Sequence, residues 1–466
     1  MRILKPLLAS MILAGAAWAE DLGPFASTEA APVAPECRAP KMIQINPATA
    51  CGKKVYLVAW SDGMNSGGRD SSDIYCARVE LKTGKTLDPR GILVCKADFD
   101  QGFPAVASDG NGNFLVVWQD LRNGKDYDVY AARVNEDGKV LDPDGFAVSA
   151  RKDSNEARPA AGYAAGTFLV AWMDARRYPV YGLWGARVSE AGKCQDAEGI
   201  ELDSESKAAI DKVMPKDGKW LGDKEYWWYP LCSRVTPAIA SDGKKCLVAY
   251  KREVVSGGGN GASATVLTVD PGAGKISGTP VVFKGSGSYD RPALTSTDKG
   301  WALGLDHWIG GWGCTPTLSC ARLDAGLKPL DSFEIRQGGK QEEYNAPTEP
   351  LKDPAYAAGK GQTCPFQPAA AWNGRHVVLA MEFGWRGQKD DTGTRTAILI
   401  NRCDPEGPAK LVDAASVRVD TSEDKKGLAV GNPALAAGPD GECLLVYEKD
   451  AGLEDCKIVA RVIREK

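Results

Sequence analysis

Apolar residues in this chain fall into short runs separated by polar turns. The clearest runs are Tyr56–Trp60, Phe114–Trp118, Phe168–Trp172, Cys246–Tyr250, Val377–Met381 and Cys443–Tyr447. Trp301–Leu305 is a fainter copy. They are rich in Val, Leu and aromatic residues and bounded by Gly, Asn and Asp, the composition of strands rather than helices. No stretch of useful length shows a period of 3.6, so the hydrophobic pattern predicts an all-β chain.

The runs recur in a frame. Seven proline–alanine pairs stand ahead of them, at Pro47, Pro104, Pro159, Pro237, Pro292, Pro368 and Pro433. Successive pairs lie 57, 55, 78, 55, 76 and 65 residues apart. A spacing near 55 with occasional insertions is the mark of a repeated supersecondary unit. In the second unit, Pro104–Ser108 is a run of small and apolar residues. Asp109-Gly110-Asn111-Gly112 is a turn. Phe114–Trp118, Val129–Val134 and Phe146–Ser149 complete four strands, joined by a polar loop and the turn at Gly138. The third strand carries Ala-Arg-Val or a variant at Arg78, Arg133, Arg187, Arg322 and Arg461, with Arg402 as a further copy.

Four short antiparallel strands repeated seven times resemble the blades of a β-propeller, in particular exported bacterial repeat proteins with a Trp-x-Asp element such as Trp118-Gln119-Asp120. The resemblance spans residues 41–466 and implies a single seven-bladed propeller of four-stranded antiparallel blades. The third residue after each proline is small (Ala50, Ala107, Gly162, Ala240, Thr295, Ala371, Ala436), as crowding around a central channel requires. The last unit ends after its third strand, so an N-terminal strand is expected to close the last blade. Lys41–Ile45 is the segment expected to do so. The tryptophan-aspartate dipeptide repeat and the Ser-x-Asp-x-Gly-x-Thr-Trp box of sialidases are both absent, so the resemblance carries no catalytic residue with it.

Ahead of the repeats, Arg2 and Lys5, the apolar run to Ala17 and the Ala17-Trp18-Ala19 pattern read as a secretory signal cleaved after Ala19. Residues 20–40 then read as a linker. No run approaches the ~20 apolar residues of a membrane span. Export without membrane insertion is the expectation, to the periplasm or beyond. Without residues 1–19 the formal charge moves from −4 to −6, with both signs interspersed. No basic stripe marks a nucleic-acid partner. A monomer is expected. The thirteen cysteines all lie in the mature part, where export favours pairing. Cys314 with Cys320 and Cys76 with Cys95 are possible local pairs. With no CxxC and only His307 and His376, a Cys/His zinc site is not expected.

Residues repeated in every blade serve the fold first. Asp62, Asp120 and Asp174 begin the loop after the second strand and read as Asx-type turns. The same loop in the first unit adds Asp70 and Asp73, oxygen donors suited to calcium but without the EF-hand order. No cofactor beyond such a calcium ion is expected. Departures from the repeat point to function. The insertion around 203–232 gathers Trp220, Tyr226, Trp227, Trp228 and Tyr229. The fifth unit carries His307, Trp308 and Trp312, and the sixth Glu382, Trp385 and Arg386. Aromatic rings of this kind stack on sugars or anchor proteins. The leading expectation is a non-catalytic exported propeller binding a carbohydrate or protein through its loop face. The alternatives are a glycoside hydrolase or polysaccharide lyase using His307, Glu382 and Arg386, and a structural module of a cell-surface assembly.

Overall fold

The computed structural model describes residues 20–37, 42–64, 72–177, 180–203, 236–256, 259–285, 292–309, 315–336, 362–386, 394–405, 412–413, 416–421, 429–451 and 456–466. The chain is a seven-bladed β-propeller. Blade 1 is built from Met42–Cys51, Val55–Met64, Ser72–Glu80 and Ile92–Cys95, paired antiparallel in chain order from the inside outward. Blades 2 to 6 repeat that meander. Each inner strand packs against the next, and the seventh (Ala429–Ala437) packs against the first, which closes the ring.

Seven buried clusters account for its cohesion, one at each junction between neighbouring blades. Trp60 lies at the junction of blades 7 and 1, Trp118 at 1–2 and Trp172 at 2–3, all fully buried. These strand-ending rings fill the space between sheets, as their place in the repeat predicts. The small residues of the inner strands have a matching cause. A Cβ on Gly162 would collide with Ile239 of the next blade.

Closure differs from the expectation. Residues 42–45 belong to the inner strand of blade 1, with Gln44 opposite Asp62 and Ile45 opposite Ser61. The outer part of the last blade comes from further upstream. Phe25–Ser27 and Ala31–Pro32 both pair with Lys457–Glu465, and Glu20–Leu22 pairs outside Phe25–Ser27. The reason lies in how the inner strand treats its proline. In blades 1, 2, 3, 6 and 7 the strand begins before the Pro-Ala pair and crosses it through a bulge. The segment before Pro47 is therefore already in use. Phe25 and Val33, each 1% exposed, anchor the closing segment.

The repeated arginines staple the blades. Arg78, Arg133, Arg187, Arg322 and Arg402 each fork onto an aspartate shortly downstream (Asp88, Asp142, Asp196, Asp331, Asp413). The first four also donate through a terminal nitrogen to a backbone carbonyl of the next blade, as Arg133 does to Glu190 O at 3.0 Å. Such two-pronged, charge-assisted bonds fix orientation as well as distance.

Ten of the described cysteines are free thiols. Cys76 and Cys95, a pair expected to join neighbouring strands, are separate because the register sets Ile74 opposite Cys95 and Ile92 opposite Cys76. Cys320 is a free thiol and so is not joined to Cys314, the other expected pair; Cys314 itself lies outside the described residues.

Candidate functional site

The strand order gives the ring two unlike faces. Inner-to-second and third-to-outer connections emerge on one face, which we call the turn face. Most of them are short, such as the turns at 52–54, 165–166 and 242–245. Second-to-third and blade-to-blade connections emerge on the other, the loop face. There the chain leaves blade 3 at Asp203 and re-enters at Thr236, and leaves blade 5 at Arg336 and re-enters at Gln362.

The sequence-predicted residues divide accordingly. Trp220, Tyr226, Trp227, Trp228 and Tyr229 belong to the 203–236 connection and lie outside the described residues, as do Trp312 and Asp70. His307 and Trp308 occupy the last residues of the second strand of blade 5, opposite Thr317 and Pro316. Trp385 and Arg386 end the corresponding strand of blade 6, opposite Thr363 and Gln362. The topology thus brings His307, Trp308, Trp385 and Arg386 to adjacent strand ends on the loop face. His376 sits on the turn face, where its Nδ1 lies 2.9 Å from Glu465 Oε2, which Arg402 also reaches at 3.2 Å.

The Trp-x-Asp element is a clamp. The indole N–H of Trp60, Trp118 and Trp172 donates to Asp62, Asp120 and Asp174 at 3.0, 2.7 and 3.0 Å. In blades 2 and 3 the other carboxylate oxygen accepts the backbone N–H two residues on, the expected Asx-type turn. Arg122 and Arg176 fork onto the same carboxylates and stack on Tyr130 and Trp184 at 3.8 and 3.4 Å. Asp62 is additionally reached by Gln44 Nε2 at 3.4 Å and stands opposite Asp73. Burial pushes both the Asp62 and Asp73 carboxyls up. Among the described residues no group of three His, Cys, Asp or Glu side chains is placed to hold a metal ion.

Opposite each of the first three clamps stands a residue three before the proline: Gln44, Gln101 or Glu156. Glu156 is fully buried against the anion Asp174, and neither of its carboxyl oxygens has a hydrogen-bond partner among the described residues. Burial first, and Asp174 second, push it up to about 8, so it holds its proton at neutral pH. Nearby Asp128 is pushed up to about 6, by burial and then by Asp126.

A set of rim residues escaped the sequence reading. Asn46, Phe103, Arg158 and Asn432 each precede a repeat proline, and each has φ between 50° and 56°. Left-handed backbone is costly for such residues, and proline adds its own restriction on the residue before it. Three of the four N–H groups are anchored by the preceding blade. Asn46 N donates to Glu448 at 2.7 Å, Arg158 N to Gln119 at 3.1 Å and Asn432 N to Glu382 at 3.2 Å. Glu382, a residue the enzyme reading needs, is thereby tied to blade 7. The corresponding Ser61 is too short, and its Oγ makes no hydrogen bond among the described residues. The four side chains are half-exposed at equivalent places where the inner strands open on the loop face. The Arg158 guanidinium lies 4.5 Å from the Phe103 ring centre. The only sequence signal was the changing residue before a fixed Pro-Ala pair.

No known family profile matches the chain, and no curated protein is detectably similar to it. Solved structures are similar in overall shape. A protein of unknown function from Dyadobacter fermentans aligns at 14% identity over 95% of this chain and 100% of its own, with a TM-score of 0.47. The Penicillium chrysogenum α-L-arabinanase complexed with arabinobiose aligns at 10% identity over 94% and 98%, TM-score 0.42. The parainfluenza virus 5 hemagglutinin-neuraminidase ectodomain aligns at 9% identity over 95% and 85%, TM-score 0.43. The fold assignment rests on the chain's own sheet topology.

Proposed function

We propose that the protein is an exported propeller that binds a carbohydrate or protein ligand through its loop face without transforming it. The observation that carries this reading is the contrast between the faces. Most connections of the turn face are short turns, whereas the loop face carries the longest ones, among them 203–236 with Trp220, Tyr226, Trp227, Trp228 and Tyr229. Phe103 and Arg158 add an aromatic ring and a cation at the inner rim. The repeated carboxylates there, Asp62, Asp120 and Asp174, are held by indole donors, joined by a guanidinium at Asp120 and Asp174, and serve the fold. Export rests on the signal-like residues 1–19. Calcium at Asp62, Asp70 and Asp73 would be an addition to this reading, and an unchanged melting temperature in excess EDTA would remove it.

Glycan-array and pull-down binding by the mature chain tests the proposal. Trp227→Ala/Trp228→Ala and Phe103→Ala/Arg158→Ala proteins that fold normally should each lose binding at least about tenfold. Binding that survives both pairs defeats the proposed surface. The enzyme reading draws on the placement of His307, Trp385 and Arg386 at neighbouring strand ends. Polysaccharide turnover abolished by His307→Ala, with folding intact, would replace the binding reading.

A further inference from the structure

The regular turn face breaks its own pattern in blade 6. The last residue of the inner strand is Cys51, Ser108, Ala164, Ser241, Thr297 or Ala437 in six blades, and Trp372 in the sixth. All but Trp372 are small. Trp372 is half-buried: part of it packs on the core between blades 5 and 6, and its indole N–H donates to Asp298 of blade 5 at 3.1 Å. The remainder lines a cavity of about 360 Å³ at that junction, together with Lys299, Arg375, Asp404 and Pro405. The wall is fixed from both sides, because Arg322 of blade 5 donates to the Pro405 carbonyl of blade 6 at 2.5 Å.

Clefts that hold small ligands begin at about 300 Å³. The lining holds two cationic side chains, Lys299 and Arg375, and two carboxylates, Asp298 and Asp404, so its formal charge sums to zero. What remains is an aromatic plate edged by donors and acceptors. That combination suits a ring with an apolar C–H face and a hydroxylated rim. Arg375 is exposed, and its guanidinium makes no hydrogen bond or ion pair among the described residues. It is placed to donate to an incoming hydroxyl.

We infer that the blade 5–6 cavity on the turn face binds one or two units of a neutral carbohydrate. This site is separate from the loop face and does not depend on the ligand proposed there. The test is calorimetric titration of the full mature chain with methyl β-glucoside, cellobiose, maltose, xylobiose and arabinobiose, and with digalacturonate as the charged comparison. At least one neutral sugar should bind saturably. Arg375→Ala should weaken it about tenfold, the loss of one charge-assisted bond, and Trp372→Phe by less, since it trims the stacking ring and removes the indole N–H held by Asp298. Arg375 is exposed, so its variant remains informative if Trp372→Phe fails to fold. Four results would overturn the inference: no neutral sugar binding, binding of digalacturonate alone, an Arg375→Ala affinity within twofold of wild type, or a sugar lost through Phe103→Ala/Arg158→Ala but kept by Arg375→Ala.

Discussion

Glu156 makes the structure's strongest claim about stability. Blades 1 and 2 place a neutral amide, Gln44 or Gln101, opposite the clamped aspartate. Blade 3 places a carboxyl there instead, buried against Asp174. Asp174 already accepts from Trp172, from the Arg176 backbone and side chain, and from Ser154. The Arg176 guanidinium, 3.9 Å from Glu156, is thus largely spent. With its pKa near 8 rather than the ordinary 4.5, Glu156 keeps its proton in the fold after the unfolded chain has released it. Stability from this group is complete below pH 4.5. It falls by about 1.4 kcal/mol per pH unit up to pH 8 and then levels off. At pH 7.5 the accumulated loss is about 4 kcal/mol on this scale. Glu156→Gln supplies what blades 1 and 2 already use and removes the loss. The variant should match wild type at pH 4.5 and gain steadily above it. For a chain of this length the gain corresponds to about 4 °C in melting temperature near neutrality. Thermal or urea unfolding of both proteins at pH 5, 6, 7 and 8 reads the difference directly, because titrating groups remote from Glu156 cancel. A difference that does not change with pH, or a variant less stable at pH 8, refutes the reasoning.

Three other outcomes follow from the packing. Removing residues 20–34 uncovers the edge of Lys457–Glu465 and loses buried Phe25 and Val33; urea unfolding should show a loss of about 5 kcal/mol, and an unchanged midpoint would remove this segment from ring closure. Gly145 has φ 75° and its backbone abuts the Trp118 indole. Gly145→Ala should cost about 3 kcal/mol or more in the same assay, whereas Gly166→Ala, also left-handed but facing open space, should cost less. Burial pushes Cys37 up to about 11 and Cys51, Cys95 and Cys246 up to about 12. Iodoacetamide at pH 8 should therefore spare these sites in the folded chain and label them after unfolding without reductant, as read by peptide mass spectrometry. Sites that stay unlabelled until reductant is added would show that they are oxidised.

Much of this architecture was legible because it is made of repeated local chemistry. The aromatic ends of the second strands, the small inner residues and the Ala-Arg-Val arginines all occupy the places their residue types require. The closing strand was not legible. Phe25–Ser27 and Ala31–Pro32 are too short to show a period of two. A proline normally marks a strand edge or bulge, so the sequence places the start of each inner strand at its proline. Here the bulge lies within the strand, and the part before it pairs too. The rim residues Asn46, Phe103, Arg158 and Asn432 share a backbone conformation and not a side-chain type, so residue identity could not reveal them. Nor could it reveal that Glu156 shares the slot of two glutamines, since only cross-strand register shows the equivalence.

The division of labour between the two faces is open to one direct measurement. Hydrogen exchange can be followed in the Arg375→Ala protein, so that the blade 5–6 cavity does not contribute, with and without the ligand found by array or pull-down. Ligand should slow exchange at backbone amides around 101–103 and 156–158, where inner strands open on the loop face. Slowing confined to the opposite turns at 109–112 and 165–166 would contradict the account.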